Sequence, residues 1–331
     1  MDLEEFLAEW HNDSPTLLVH TSGSTGQPKP MLVEKRRMEA SARQTCGFLG
    51  LKEGDTALLC MSLDYIAGKM MVVRSLTCGL RLISVPPSGE PLKTVTKPID
   101  FAAMVPMQVY NSLKDPIQRE RLRQVRHLII GGGAVDDALA EELAGFPNAV
   151  WSTYGMTETL SHIALRRLNG PDASDWYTPF EGVNISLTDE GCLVVDAPTV
   201  HDGPLTTNDI AELCPPSPVG ERLGVKPFRI LGRKDNTICS GGVKIQAEEV
   251  ERLLRAHLRE PYLISKRHDP KFGEAVVLLT ESADLDAVEA VCRRVLPRYW
   301  QPRHYVRIDH IPLTATGKPA RHEAELMAAE Q

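Results

Sequence analysis

The sequence predicts an α/β protein, and three features predict it. Short apolar runs rich in strand formers alternate with stretches of helical periodicity. Gly-rich turns follow directly on two of those runs, at Leu17–His20 and Leu128–Ile130. Hydrophobic residues make up 42% of 331 residues and charged residues 24%, enough to bury a substantial core. That length suggests one large domain and a smaller one. The expected division is residues 1–232, a large α/β domain, and 233–331, a small α+β domain.

Taken in order, Leu17-Leu18-Val19-His20 reads as a strand entering a Gly/Ser/Thr loop. Gly68 to Arg74 reads as a helix, on which Lys69 and Arg74 stand about 140° apart at 3.6 residues per turn. Leu128-Ile129-Ile130 reads as a strand closed by Gly131-Gly132-Gly133. A helix follows, capped by Asp136 or Asp137, with Leu139 and Leu143 on one face. Tyr154 to Thr159 reads as a helix start with Thr157 as its cap. Prolines punctuate 215–218, and the chain changes character near 232. Val250, Leu253, Leu254, His257 and Leu258 keep helical spacing behind the acidic first turn of Glu248 and Glu249. A last clear helix begins after Asp284, carries Leu285, Val288, Cys292, Val295 and Leu296, and stops at Pro297.

Composition removes several function classes. The net charge of −7 argues against nucleic-acid binding, which leaves a basic footprint. No apolar run is long enough to cross a bilayer, and Met1 to Phe6 is acidic where a signal peptide would be basic and then apolar. Seven cysteines form no C-x-x-C pair, which points to the reducing cytoplasm.

Four segments carry chemistry. Thr21-Ser22-Gly23-Ser24-Thr25-Gly26-Gln27-Pro28-Lys29 combines two glycines, hydroxyl donors and a cation, a set suited to a polyphosphate. It is not a Walker A loop, since Pro30 stands where Ser or Thr is required. Tyr154-Gly155-Met156-Thr157-Glu158-Thr159 offers an aromatic face for a base and a carboxylate for Mg²⁺. Gly232-Arg233-Lys234-Asp235 precedes Ser240-Gly241-Gly242-Val243-Lys244, a charged cluster beside a glycine pair. Pro312 to Pro319 presents Lys318 on a turn. Each alone is also an ordinary loop or cap.

In this order, the segments resemble the acyl-adenylate-forming superfamily of acyl-CoA synthetases, firefly luciferase and peptide-synthetase adenylation domains. Gly131–Ala134 resembles its adenine-side turn and Thr207-Asn208-Asp209 its ribose motif. The resemblance implies activation of a carboxylic acid by ATP with Mg²⁺, then transfer to CoA. Thr21, Ser22, Gly23, Ser24, Thr25, Gly26 and Lys29 would hold phosphates. Gly132, Gly133 and Tyr154 would line the adenine pocket, and Asp209 and Arg233 would hold the ribose. Thr157 and Glu158 would meet the α-phosphate and the metal ion, and Lys318 would bridge acid and phosphate. The C-terminal domain would turn about Asp235 and present Gly241 and Gly242 to the thiol.

The sequence also departs from the family pattern. Only 20 residues precede the phosphate loop, where well over a hundred are usual, so most of the first sub-lobe is missing; a homodimer is one way to cover the faces it leaves. Asn208 replaces a glycine and is expected to tolerate a left-handed turn. Leu63 to Gly68 stands where many members carry a Phe-His pair. Around the acyl pocket the sequence offers polar handles: Tyr65, Lys69, Arg74, Ser161 and His162. The short form, the Asp64-to-Met71 run and the Thr157-to-Arg166 run together resemble compact bacterial members serving menaquinone synthesis, whose acid is an aromatic dicarboxylate. Arg74 would anchor its second carboxylate, unless it is a surface or structural ion pair. The alternatives are a ligase for another small aromatic acid and a non-catalytic nucleotide-binding relative.

Overall fold

The alternation in the sequence is realised as a seven-stranded mixed sheet with helices linking its parallel strands. A computed structural model describes residues 1–20, 30–215, 226–314 and 319–329. By its internal packing the chain divides into two compact units. The first is Met1–Ser186 with Val194–Leu205 and Leu213–Arg229, and the second is Leu187–Leu193 with Thr206–Glu212 and the chain from Ile230 onward.

The first unit opens with α1 (Leu3–His11), started by a capping box between Asp2 and Glu5. Strands β1 (Thr16–His20) and β2 (Pro30–Glu34) pair antiparallel, with His20 opposite Pro30. The expected phosphate-binding residues Thr21 to Lys29 lie outside the described residues, but both chain ends that lead to them are held in this register. Helix α2 (Lys35–Leu49) buries Met38, Ser41, Ala42, Thr45, Cys46 and Leu49 along one stripe.

The large sheet follows. Strand β3 (Thr56–Leu59) leads through α3 (Ile66–Cys78) to β4 (Arg81–Ser84). Strand β5 (Phe101–Met104) leads through α4 (Pro106–Lys114) and α5 (Pro116–Gln124) to β6 (His127–Ile130). Helix α6 (Asp137–Ala144) leads to β7 (Ala149–Gly155), then β8 (His162–Arg167) and β9 (Thr178–Pro179). The strand order is β4-β3-β5-β6-β7-β8-β9. All pairs through β6–β7 are parallel, and the last two are antiparallel. Every residue of β5 is buried, as a central parallel strand requires. The core beside it joins Leu58, Met104, Val109, Leu128, Ile130, Leu139 and Leu143. Asp136 caps α6 by accepting from the Leu139 backbone N–H.

One expectation fails here. Tyr154 to Thr159 does not start a helix: Tyr154 and Gly155 end β7, and the chain turns back into β8. The Thr159 hydroxyl accepts from the Met156 N–H at 3.1 Å and reaches the Ser161 carbonyl at 2.8 Å. Such local side-chain bonds give the backbone an alternative to helix.

Strands β10 (Asn184–Leu187), β11 (Cys192–Asp196), β12 (Leu205–Leu213) and β13 (Phe228–Arg233) form a four-stranded sheet in that order. In the second unit, β14 (Thr237–Ser240) and β15 (Val243–Gln246) are joined by Gly241 and Gly242, with φ of +58° and +83°. A two-residue hairpin of this kind needs positive φ at both positions, which only glycine adopts without strain. After α7 (Ala247–Leu254) come β16 (Tyr262–Asp269), β17 (Gly273–Thr280), α8 (Leu285–Val295), β18 (His304–Arg307) and α9 (Arg321–Ala329). The sheet order is β15-β14-β17-β16, with β18 parallel to β17. Strand β17 is buried on both faces. Val276 and Leu278 join the cluster with Val250, Leu254, Val288 and Cys292, while Val277 and Leu279 meet Val306, Ala324 and Ala328. Helix α7 ends sooner than its spacing suggests, leaving His257 and Leu258 beyond it. Among the described residues no helix is long and apolar enough to cross a membrane.

Candidate active site

In open parallel sheets, ligands bind beyond the carboxyl ends of the strands. Gly131, Gly132 and Gly133 lie there, directly after β6, and Tyr154 ends the adjacent β7. The Tyr154 ring is set edge-on to Phe228 at 5.1 Å and tilted against Tyr177 at 5.9 Å. Tyr177 stacks on Phe228 and shares a 2.9 Å hydrogen bond with the Ser152 hydroxyl. Nothing in the local sequence marks Tyr177 or Phe228 as neighbours of Tyr154.

The β7–β8 turn requires Gly155. A Cβ there would collide with the Ser161 carbonyl oxygen and the His162 Cα, both backbone atoms with no room to retreat. The turn places Thr157 in a buried position and Glu158 in an exposed one. It closes through Leu160, a buried leucine held at φ +65°. That left-handed conformation costs a bulky residue roughly 1–3 kcal/mol.

Ser161 follows and meets Arg74. The Arg74 guanidinium on α3 donates from Nη2 to the Ser161 hydroxyl at 2.6 Å. It lies 3.8 Å from the Met71 sulfur and 6.0 Å from the Phe101 ring centre. Only 2% of Arg74 is exposed, and its Nε has no hydrogen-bond partner among the described residues. Among the described residues no carboxylate pairs with it. Burial pushes its pKa down to about 10, so it stays cationic at neutral pH. The ion-pair reading of Arg74 therefore finds no support in the geometry.

Behind Ser161, His162 Nδ1 lies 3.2 Å from the Ser161 hydroxyl and Nε2 lies 3.1 Å from Thr45 on α2. Burial and the Arg74 charge hold His162 well below its ordinary pKa. Thr45 was not among the expected site residues. Its one sequence signal is a hydroxyl on the apolar stripe of α2.

The other two acid-pocket candidates go elsewhere. Tyr65 stands exposed before α3. Lys69 is buried against α1, with Nζ 5.4 Å from the Phe6 ring centre and 3.4 Å from the Met1 sulfur. Burial lowers its pKa.

In the second unit, Arg233 Nη1 lies 3.3 Å from Asp209 and Nη2 lies 3.4 Å from Asp235. The structure thus joins both expected ribose residues with the expected hinge residue. Asn208 corrects an expectation: it lies inside β12, and among the described residues Leu160 alone of the non-glycines has positive φ. Asn208 instead donates to Asp235 at 3.4 Å. Asp235 sits in a short 3₁₀ turn, Lys234–Asn236.

Lys318 lies outside the described residues, but its flanks are clamped. Leu313 bridges to Pro319, and the Ala320 N–H donates to the Pro312 carbonyl at 2.8 Å. Arg321, which starts α9, grips Glu251 of α7 through two bonds of 3.0 and 2.7 Å.

Among the described residues no three His, Cys, Asp or Glu side chains cluster as a metal cage. Glu158 offers a single exposed carboxylate. That suits Mg²⁺, which is held by one or two carboxylates together with substrate phosphates.

The model of the AMP-binding enzyme family matches residues 4–214. The chain belongs to that family. This AMP-binding enzyme is 32% identical to an AMP-forming acyl-CoA synthetase/AMP-acid ligase II-like protein from Dyadobacter fermentans, covering 96% of this chain and 91% of that one, with a TM-score of 0.65. It is 24% identical to the 2-succinylbenzoate–CoA ligase of Bacillus cereus over 97% of this chain and 72% of that protein. The o-succinylbenzoate CoA synthetase of Bacillus subtilis, solved with ATP and magnesium ion, shares the fold with a TM-score of 0.73 at 23% identity, over 92% of this chain and 69% of that one.

Proposed function

We propose that the protein uses ATP to convert 2-succinylbenzoate into its acyl-adenylate and passes the acyl group to CoA, a step of menaquinone synthesis. The observation that carries this reading is Arg74: a cationic guanidinium, 2% exposed, with no carboxylate partner among the described residues. Isolated buried charge is costly, on the order of several kcal/mol. A second substrate carboxylate supplies the counter-ion. The similarity to 2-succinylbenzoate–CoA ligases supports the same acid.

In the first half-reaction a carboxylate oxygen of the acid attacks the α-phosphorus, and the bond to pyrophosphate breaks. An anion approaches a polyanion here, so preorganised positive charge decides the rate. Lys29 and Lys318 supply that charge, with Thr21, Ser22, Gly23, Ser24, Thr25 and Gly26 donating to the phosphates. Lysine suits the bridging task as a point charge on a long stem. Thr157 donates to the α-phosphate. Glu158 would hold Mg²⁺, which would supply charge neutralisation at the phosphates. Gly132, Gly133 and Tyr154 hold the adenine. Asp209 accepts from a ribose hydroxyl and Arg233 donates to one, a role their 3.3 Å pairing favours. In the second half-reaction the CoA sulfur attacks the acyl carbon and AMP leaves. Residues 233–331 turn about Asp235 between the two, bringing Gly241 and Gly242 to the thiol, as a short charged turn beside a rigid hairpin permits.

A panel of acids in a pyrophosphate-release assay tests the substrate. The expected result is turnover of 2-succinylbenzoate well above benzoate. Strong activity with benzoate and none with 2-succinylbenzoate overturns it.

A further inference from the structure

We infer that His162 is a positioning residue for the acid: through Ser161 it fixes the Arg74 guanidinium that receives the second carboxylate. The inference rests on the functional reading above and extends it to a group that touches no substrate.

The argument follows protons through four side chains. The Thr45 hydroxyl donates its one proton to the Ser41 carbonyl at 3.1 Å. At its 3.1 Å contact with His162, Thr45 can therefore only accept, so Nε2 carries the imidazole proton. A neutral imidazole protonated at Nε2 has a bare Nδ1. Nδ1 accepts from the Ser161 hydroxyl at 3.2 Å. That commits the Ser161 proton and leaves its lone pair facing Arg74 Nη2 at 2.6 Å. The chain runs one way: Arg74 to Ser161, Ser161 to His162, His162 to Thr45, Thr45 to Ser41. Reversing any link would place two donors or two acceptors face to face.

His162 as a whole is 8% exposed, and both ring nitrogens face protein hydroxyls. Both burial and the Arg74 charge favour the neutral ring. Without Nδ1 the Ser161 hydroxyl is released to rotate, and its proton can point at the guanidinium. Arg74 then loses its best-placed acceptor, because Nε has none among the described residues.

The ring also packs edge-on against Phe180 at 5.5 Å, so the test must separate hydrogen bonding from packing. His162→Asn keeps an acceptor near the Nδ1 position and loses the ring. His162→Phe keeps the ring and loses the acceptor. The inference predicts that His162→Phe raises KM for 2-succinylbenzoate about tenfold, the scale of one weakened charge-assisted bond, with kcat little changed. His162→Asn stays within about twofold of the parent KM, inside the scatter of a single neutral hydrogen bond. The opposite ranking, or three equal KM values, overturns it. Nitrogen NMR of the unmodified enzyme gives a readout independent of folding in the variants. A neutral ring protonated at Nε2 is expected, and protonation at Nδ1 overturns the inference. An unmodified enzyme that ignores 2-succinylbenzoate removes the functional reading and this inference together. One that accepts the acid while His162→Phe keeps its KM removes this inference alone.

Discussion

At the scale of the residue, binding and stability pull against each other at Arg74. A guanidinium buried without a carboxylate costs the fold more than an apolar side chain of similar length would. Arg74→Met should therefore raise Tm by a few degrees, about 1–3 kcal/mol, as replacement of poorly paired buried charge does. The same variant should raise KM for 2-succinylbenzoate by about ten- to a hundredfold, the loss of a charge-assisted contact. Calorimetry and steady-state kinetics on one preparation check both. A fall in Tm with unchanged KM would mark Arg74 as a structural cation. The sequence made Arg74 visible as a charge on an apolar helix. It could not show that no described carboxylate pairs with the charge, because its surroundings come from α3, β5 and the β7–β8 turn. Ser161 lies 87 positions from Arg74, and Thr45 lies 117 positions from His162. Tyr65 and Lys69 were equally visible as polar handles, yet one faces solvent and the other is turned against α1.

At the scale of the element, the β7–β8 turn places Thr157, Glu158 and Ser161. Its shape depends on the missing side chain of Gly155. Gly155→Ala drives a methyl group into two backbone atoms and should cost about 1–3 kcal/mol, as overpacking does. Because the strain falls on the turn itself, kcat/KM should fall at least tenfold at temperatures where the variant is fully folded, a ΔΔG‡ of about 1.4 kcal/mol. Circular dichroism beside pyrophosphate release checks this, and a folded variant of full activity would contradict it. From sequence alone this element reads as a helix start. Cap chemistry and turn chemistry use the same residues, and only the pairing of β7 with β8 decides between them. Elements with strong local rules were legible: α6 behind Asp136, α8 between Asp284 and Pro297, and the Gly241-Gly242 hairpin.

At the scale of the whole molecule, the fold class follows from alternation of strand and helix patterns, and the family from six motifs between Thr21 and Pro319. The order β4-β3-β5-β6-β7-β8-β9 and the aromatic set around Tyr154 do not, because both rest on long-range pairing without a local signal. The central claim is that this chain joins an organic acid to AMP. Isotope exchange between labelled pyrophosphate and ATP tests it most directly, since exchange needs only the first half-reaction and neither CoA nor thioester release. The account predicts exchange that requires Mg²⁺ and 2-succinylbenzoate together. Absence of exchange with every organic acid offered would contradict it.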